Sequence, residues 1–274
     1  ALRVESDQYS QRKIMLQAAI KYEQDDLPGC KAQCDKCVAE DPEVVVAYAC
    51  IAFKEGKFDE ARQKFTDAMA TLGYMPYVAY NIALCYYKLK QYGPSLKHIA
   101  EIIERGVREH PELSVGSSTD GIDVRSVGNS QVLRETALVE AFNLKAAIEY
   151  NMKNVEAARE ALVDMPPRNE QEVDPVTLHN QALMNMDEDP TTGFRKLNFL
   201  LQNPPFPPPT FGNLLLLYCK FQYYDLAADV LAENTHLTFK MLTQQLYEYL
   251  DACIMVETSP AEAYRKFDDL TSKH

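Results

Sequence analysis

Apolar and small side chains recur along this chain at intervals of three and four residues, a spacing that places them on one face of a helix. The pattern of apolar and small residues that follows Gly56 recurs at a fixed distance further along the chain. The two matching sets are Phe58, Ala61, Phe65 and Ala68, and then Tyr92, Ser95, Ile99 and Ile102. Twelve residues before Ala61 and Ser95 stand Ala49 and Ala83, small side chains that let a preceding helix approach closely. The pattern therefore predicts repeated helix-turn-helix units.

The distance from Ala61 to Ser95 is the period of tetratricopeptide repeats, about 34 residues, whose helical hairpins stack into a right-handed superhelical solenoid. We expect an all-α protein of about seven such repeats with one inserted loop. The repeats are predicted at 8–40, 42–74 and 76–110, the inserted loop at 111–131, and the later repeats at 133–166, 174–203, 208–234 and 237–272. Because one hairpin buries too little apolar area to be stable alone, the seven are expected to form a single solenoid over 1–274.

The step from Cys30 in the first repeat to Ala61 in the second is shorter than one period. The junction at Glu40 and Asp41 is therefore predicted to be short or to lack residues. The chain does not begin with Met, and it is expected to be a piece of a longer protein. No run approaches 18 consecutive apolar residues, and the first residues lack the pattern of a signal peptide. Insertion in a membrane is not expected.

Composition narrows the classes of function. Hydrophobic residues make up 46% of the chain and charged residues 25%, enough apolar surface for a folded protein. Lys and Arg number 28 and Asp and Glu number 40, which gives a net charge of −12. A field of this sign repels phosphate backbones and anionic lipids, so neither nucleic acid nor a membrane surface is expected as a partner.

Seven cysteines are an odd number, and most of them lie within helical apolar stripes. We expect reduced thiols in a cytosolic compartment and no disulfides. Cys30, Cys34 and Cys37 have the spacing with which radical S-adenosylmethionine enzymes hold an iron–sulfur cluster, so a metal-cluster enzyme is an alternative interpretation. Here, however, the triplet occupies the helical register filled by Ala61, Phe65 and Ala68 in the next repeat, which favours core packing.

No other motif points to catalysis. The five histidines never have the His-Glu-x-x-His spacing, and the sequence contains neither a Gly-x-Ser-x-Gly turn nor a glycine-rich phosphate loop. The sequence therefore predicts a binding protein without catalytic residues, metal or cofactor.

The first helix of each repeat should line the concave face of the solenoid, where another polypeptide would bind. Projection of the helices places nine residues there: Tyr80, Leu84, Tyr87, Asn143, Ala147, Tyr150, His179, Leu183 and Met186. This face is apolar and aromatic. A further alternative is a generic tetratricopeptide cochaperone, a class of protein that binds chaperone tails through Lys and Asn side chains. The predicted face is only weakly basic, which argues against this alternative.

Beyond the period, several strings resemble the tetratricopeptide-repeat subunit of intraflagellar transport complex B, the tetratricopeptide repeat protein 30 family. The strings are Ser95–Arg105 (SLKHIAEIIER), Asp123–Asn129 (DVRSVGN), Thr136–Tyr150 (TALVEAFNLKAAIEY), Asp174–Met186 (DPVTLHNQALMNM) and Phe211–Cys219 (FGNLLLLYC). The resemblance runs from about Leu16 to Leu270 and includes the inserted loop and a proline-rich connector at Asn203–Pro209.

The resemblance implies a non-catalytic scaffold subunit in the cytoplasm and the cilium or flagellum, at the axoneme and basal body. It implies that the groove binds an extended, proline-rich segment of another complex B subunit. Loss of the family is associated with defective cilium assembly and tubulin polyglutamylation. Family members are considerably longer, so this chain resembles their earlier, repeat-rich part.

Overall fold

The computed structural model describes residues 7–117 and 125–272, and within these ranges the regular structure is helical, with no strand. The chain divides into two compact units, Ala1–Glu172 and Val173–His274, each of which has its own core. The predicted all-α architecture is therefore confirmed for the described residues. That all repeats form one solenoid stays a prediction.

Unit 1 consists of four helical hairpins. Its helices are α1 (Asp7–Glu23), α2 (Leu27–Cys34), α3 (Pro42–Lys54), α4 (Phe58–Leu72), α5 (Pro76–Lys88), α6 (Tyr92–Glu109), α7 (Gln131–Glu135), α8 (Leu138–Asn151) and α9 (Val155–Val163). The pairs α1/α2, α3/α4, α5/α6 and α8/α9 pack against each other, and the short α7 packs on α8. The 3-10 turns Pro111–Leu113 and Glu170–Glu172 also lie in this unit.

Unit 2 consists of three hairpins and one additional helix. Its helices are α10 (Pro175–Asn185), α11 (Pro190–Gln202), α12 (Pro209–Lys220), α13 (Tyr224–Glu233), α14 (Thr235–Met241), α15 (Gln244–Ile254) and α16 (Pro260–Ser272). The pairs are α10/α11, α12/α13 and α15/α16. Their shared core contains Phe211, Leu214, Leu250 and Leu197, none of which is exposed.

Each predicted repeat thus contains one observed hairpin, and the residues that define the repeat register are buried. They include Cys30, Cys34, Ala61, Phe65, Ala68, Ser95, Ile99, Ile102, Ala158, Leu162, Leu197, Leu200, Ala227 and Ala263. Ser95 shows why the position must be small, since its Oγ donates a hydrogen bond of 2.7 Å to the carbonyl oxygen of Ala83 in the partner helix. The two helices meet at this contact.

Two boundaries differ from the prediction. The last repeat is predicted to begin at 237, but its first helix, α15, begins at Gln244. The residues before it form α14, because Leu237, Met241 and Leu242 pack against the core of unit 2 and hold that segment helical. The second difference concerns the inserted loop at 111–131, of which residues 118–124 lie outside the described residues and Gln131 already begins α7.

The described part of the inserted loop is tied to the end of unit 1 by hydrogen bonds. The backbone N–H of Gly116 donates to the Asp164 carbonyl at 2.8 Å, and that of Val127 donates to the Pro167 carbonyl at 2.9 Å. The Ser126 hydroxyl donates to the Glu172 carboxylate, and the Asn129 side chain donates to the Glu172 carbonyl at 3.0 Å. We call these four contacts the loop clasp.

Five hairpins share one turn geometry between their two helices. The first residue beyond the cap is left-handed in each: Asp25 (φ 58°), Gly56 (φ 78°), Lys90 (φ 59°), Lys153 (φ 69°) and Gln222 (φ 62°). The next residue donates its N–H to the carbonyl five positions earlier, as from Lys57 to Ala52 at 2.9 Å and from Gln91 to Tyr86 at 2.9 Å. These bonds define Schellman motifs, which satisfy the last carbonyls of the first helix.

Candidate partner-binding face

In unit 1 the predicted binding residues lie where α5 and α8 pack together. Tyr80, Leu84 and Tyr87 are half-buried on α5, against a core cluster that includes Leu144 and Ile148 of α8. Pro76 starts α5 at its first position, where a missing N–H costs nothing, and the three residues then follow at helical spacing. The face is therefore built on rigid helices.

Asn151 connects the two helices at one end of this face. Its side-chain amide donates to the Tyr87 hydroxyl at 3.2 Å and to the Ala147 carbonyl at 2.8 Å. The ring of Tyr87 also packs on Tyr92 with centroids 6.0 Å apart. Next to Asn151, Tyr150 is 51% exposed, so its ring is available to a ligand. We call Tyr80, Leu84, Tyr87, Ala147 and Tyr150 the tyrosine face.

The tyrosine face carries little charge. Burial raises the pKa of Tyr80 to about 12, and the nearby carboxylate of Glu140 adds to this rise. The hydroxyl therefore stays neutral at physiological pH. An apolar, hydrogen-bonding surface of this kind suits a neutral peptide better than a highly charged one.

Asn143 is also predicted on this face, but the structure places its side chain in the interior. Its side chain is 6% exposed, and its amide donates to the Val139 carbonyl one turn earlier in α8 at 3.0 Å. Almost none of its surface is left for a partner. The helical projection places it in the correct direction, but packing covers it.

Unit 2 contains the other three predicted residues. Leu183 is half-buried on the core, whereas Met186 is 2% exposed and belongs to the core itself. Met186 fits there because Gly193 has no side chain: a Cβ at that position would lie 2.6 Å from the Met186 Cε. The prediction that Met186 contacts a partner is therefore wrong.

His179 is likewise buried, at 6% exposed, and serves to bridge α10 and α12. Its Nε2 lies 3.3 Å from the amide nitrogen of Asn213, which donates to it. Nδ1 then carries the proton and donates to the hydroxyl of Thr210 at 2.9 Å. Burial lowers the pKa of His179 to about 4, so the ring is neutral and structural. This too corrects its assignment to the binding face.

Sequence reasoning missed a cleft between α13, α14 and α15. The cleft has a volume of about 600 Å³ and is lined by Leu231, Phe239, Leu242, Tyr247 and Ile254 among others. Phe239 is 88% exposed at its rim. The missed signal is α14, whose short apolar pattern merges with that of the following repeat.

The cysteine triplet lies in the first hairpin, where Cys30 and Cys34 are buried and Cys37 is half-buried. Burial raises the pKa of Cys34 to about 12, which opposes the thiolate that a metal requires. The predicted role of Cys30 and Cys34 in core packing is confirmed, since both join Val44 and Ile51 in one cluster. Within 7–117 and 125–272, no three His, Cys, Asp or Glu side chains are grouped so that they could hold a metal ion.

No helix within residues 7–117 and 125–272 is both long enough and apolar enough to cross a bilayer.

Comparison with known proteins identifies relatives for almost the whole chain. A family profile described as the intraflagellar transport protein 70 C-terminal domain matches residues 210–274. Intraflagellar transport protein 70A of Danio rerio is 66% identical over 262 residues, which cover 96% of this chain and 40% of the relative. The Xenopus tropicalis protein of the same name is 62% identical, and 70A1 of Mus musculus is 59% identical, each with 41% of the relative covered.

Among solved structures, a tetratricopeptide repeat protein from Parabacteroides merdae superposes with a TM-score of 0.56 at 15% identity. The match covers 96% of this chain and 93% of that one, and it confirms the tetratricopeptide fold class. The chain spans about two fifths of the curated relatives it matches. The chain has that fold and is similar, at 58–66% identity, to part of eight proteins named intraflagellar transport protein 70.

Proposed function

We propose that this chain is a non-catalytic scaffold for intraflagellar transport, acting in the cilium or flagellum as part of complex B. The observation that carries the proposal is the 66% identity to intraflagellar transport protein 70A over 96% of the chain. The tetratricopeptide fold supports it, because stacked helical hairpins typically bind other polypeptides. The proposal includes a presence in the cytoplasm, at the basal body and along the axoneme, and a requirement for cilium assembly and tubulin polyglutamylation.

The proposed ligand is an extended, proline-rich segment of another complex B subunit, bound at the tyrosine face. A segment already restricted to the polyproline II conformation loses less entropy on binding. The rings of Tyr87 and Tyr150 offer flat apolar surfaces on which pyrrolidine rings pack. Since the face is nearly uncharged, affinity should come from buried apolar contact.

The test is co-purification of the tagged full chain with the other complex B subunits, followed by calorimetry on the complex that forms. The variant is Tyr87→Ala/Tyr150→Ala, which removes two rings of the tyrosine face. Tyr80 is left intact because its half-buried ring supports the core. The matched control is Tyr264→Ala, an 80% exposed tyrosine of α16 in unit 2.

We expect the double variant to weaken binding by about 2 kcal/mol or more per true hot spot, while Tyr264→Ala binds normally. Charge reversal at the exposed Lys97 of α6, Lys97→Glu, should be silent. Doubling the salt concentration should change the affinity little. Unchanged binding by the double variant would place the partner elsewhere, and binding abolished by moderate salt would favour the charged tails of a cochaperone-type ligand.

A further inference from the structure

The cleft between α13, α14 and α15 exposes apolar surface to water. One side of α14 packs on the core of unit 2 through Leu237 and Met241. The opposite side carries Phe239, whose ring is 88% exposed at the edge of the cleft. Leu231 of α13 and Ile254 of α15 belong to the walls. Covering the ring and these walls removes apolar surface from water, so the cleft favours the apolar side chains of a ligand.

The polar side chains that line the cleft are engaged in hydrogen bonds of their own. Thr235 and Thr243 bond to backbone groups of neighbouring residues at 3.2 Å each. Gln244 donates to a carboxylate one turn further along α15 at 2.8 Å, and Asp251 accepts from Lys266. An extended ligand would need partners here for its backbone N–H and C=O groups, whereas a helix satisfies these groups internally. The cleft therefore suits a helical ligand.

The helices around the cleft are acidic. Asp225, Asp229 and Glu233 of α13 are all exposed, and that helix has no basic residue. Asp225 lies one turn before Ala228, which lines the cleft. Two more carboxylates stand on α15, and Lys240 is the single basic residue of the three helices. This charge attracts Lys and Arg side chains of a ligand and repels acidic segments.

The charge also argues against a second copy of this chain as the ligand. The net charge of the chain is −12, and a second copy would bring the same acidic helices to the contact. Like charges brought together at an interface oppose association. A partner of opposite charge is therefore the better match.

We propose that this cleft binds a basic amphipathic helix of another protein, with bulky aliphatic or aromatic side chains on one face and Lys or Arg beside them. The apolar face of the ligand packs between α13 and α15 and covers Phe239, as amphipathic helices do in apolar grooves. Its basic side chains lie beside Asp225 and Asp229. This ligand differs from the neutral, proline-rich segment proposed for the tyrosine face, so the two sites can be tested independently.

The probe is a synthetic amphipathic peptide of about 15 residues, long enough to form a helix on binding. Leu and one Trp occupy its apolar face, and Lys occupies the flanking positions. The chain itself contains no tryptophan, so the tryptophan emission reports on the peptide alone. We expect titration with the full chain to saturate at one peptide per chain. Affinity should fall several-fold between about 0.01 M and about 0.15 M salt, and the same peptide with Glu in place of Lys should not bind.

A first variant tests the apolar contact. Phe239→Ala removes the exposed ring and should weaken binding of the peptide about tenfold. Its matched control is Phe199→Ala, because Phe199 is an exposed phenylalanine of α11 in the same unit and does not line the cleft. This control should bind like wild type. The thermal midpoint of each variant checks that it has folded.

A second variant tests the charge. Asp225→Asn/Asp229→Asn neutralises the second and sixth residues of α13 and should weaken binding several-fold at low salt. The matched control is Glu156→Gln/Glu160→Gln, which neutralises the second and sixth residues of α9 in unit 1. Both pairs change the net charge equally, so only a local effect separates them.

Three results would overturn the proposal. Unchanged affinity in Phe239→Ala, or equal weakening by the α9 pair, would mean that the general negative charge of the chain holds the peptide. Weaker binding by Tyr87→Ala/Tyr150→Ala would place the peptide on the tyrosine face. A dimer of the chain alone that Phe239→Ala abolishes, measured by analytical ultracentrifugation, would assign the cleft to a second copy.

Discussion

The buried imidazole of His179 makes the stability of unit 2 depend on pH. Burial lowers its pKa from 6.5 to about 4, because the charged form cannot be solvated between α10 and α12. Below pH 6.5 the unfolded chain binds a proton that the folded chain does not bind until about pH 4. The free energy of unfolding therefore falls as the pH is lowered through this window, by at most about 3 kcal/mol.

Urea unfolding at pH 7.0 and pH 5.0 measures this effect, with His179→Gln as the control that cannot titrate. Other groups change protonation in both proteins, so the informative quantity is the difference between them. We expect wild type to lose more stability than His179→Gln on acidification. Equal losses would mean that His179 is already accessible to protons in the folded state.

Single residues also show the limit of helical projection. The projection predicts both Tyr80 and Met186 on the binding face, yet Tyr80 is half-buried on α5 and Met186 lies in the core. The direction of a side chain follows from its position in the helix, but whether it is buried depends on the neighbouring helix. The space left by Gly193 decides where Met186 packs. The contact between Met186 and Gly193 joins two separate segments of the chain, so the hydrophobic periodicity of neither helix predicts it.

At the scale of helices and turns, the Schellman motifs contain backbone strain that a substitution by glycine should relieve. A left-handed backbone costs a residue with a Cβ about 1 kcal/mol more than it costs glycine, yet only Gly56 among the five turn residues is glycine. Lys90 and Lys153 are exposed, so replacing them removes no packing. We expect Lys90→Gly and Lys153→Gly each to stabilise the chain by about 0.5–1 kcal/mol.

The stability of each variant is measured by thermal unfolding, and two control variants separate relief of strain from a general effect of glycine. Lys88→Gly, two residues before Lys90 and still within α5, should destabilise by about 1 kcal/mol, since glycine is unfavourable inside a helix. Gly56→Ala should destabilise as well, because it adds a Cβ to a left-handed residue. If Lys90→Gly behaves like Lys88→Gly, the left-handed turn carries no strain.

The hairpins themselves could be predicted from the sequence because each repeat reuses the same buried positions. Ala61, Ser95, Ala158 and Ala227 are all fully buried at the point where two helices meet. The turns at Asp25, Lys90, Lys153 and Gln222 were less visible, since the residue types do not indicate a left-handed backbone. The helix α14 was missed because a segment of seven residues is too short to show a period.

For the molecule as a whole, the net charge of −12 predicts a salt dependence of folding. Ion pairs such as Arg108 with Glu109 and Lys220 with Asp187 are largely exposed and contribute little each. Self-repulsion among the excess carboxylates should therefore dominate. Raising the ionic strength shortens the Debye length from about 30 Å at 0.01 M to about 8 Å at 0.15 M, which weakens that repulsion.

We expect the thermal midpoint at pH 7 to rise by a few degrees between these two concentrations of sodium chloride. Repeating the scan at pH 5, close to the isoelectric point of about 4.9, should remove most of the dependence. A midpoint that falls with added salt at pH 7 would show that attraction within ion pairs outweighs the repulsion.

The loop clasp bears on the order in which unit 1 assembles. Hydrogen bonds within a hairpin join residues close in sequence, whereas the clasp joins Ser126 to Glu172, 46 residues away, and Asn129 to Glu172, 43 residues away. The entropy of closing such a long segment must be lost before these contacts form, so non-local contacts slow folding. The hairpin α8/α9 lies between the two ends of the clasp. The inserted loop therefore adds a step with high contact order to the stacking of neighbouring hairpins, and the Gly116 and Val127 amides of the loop clasp should be the last in unit 1 to gain their native protection from hydrogen exchange.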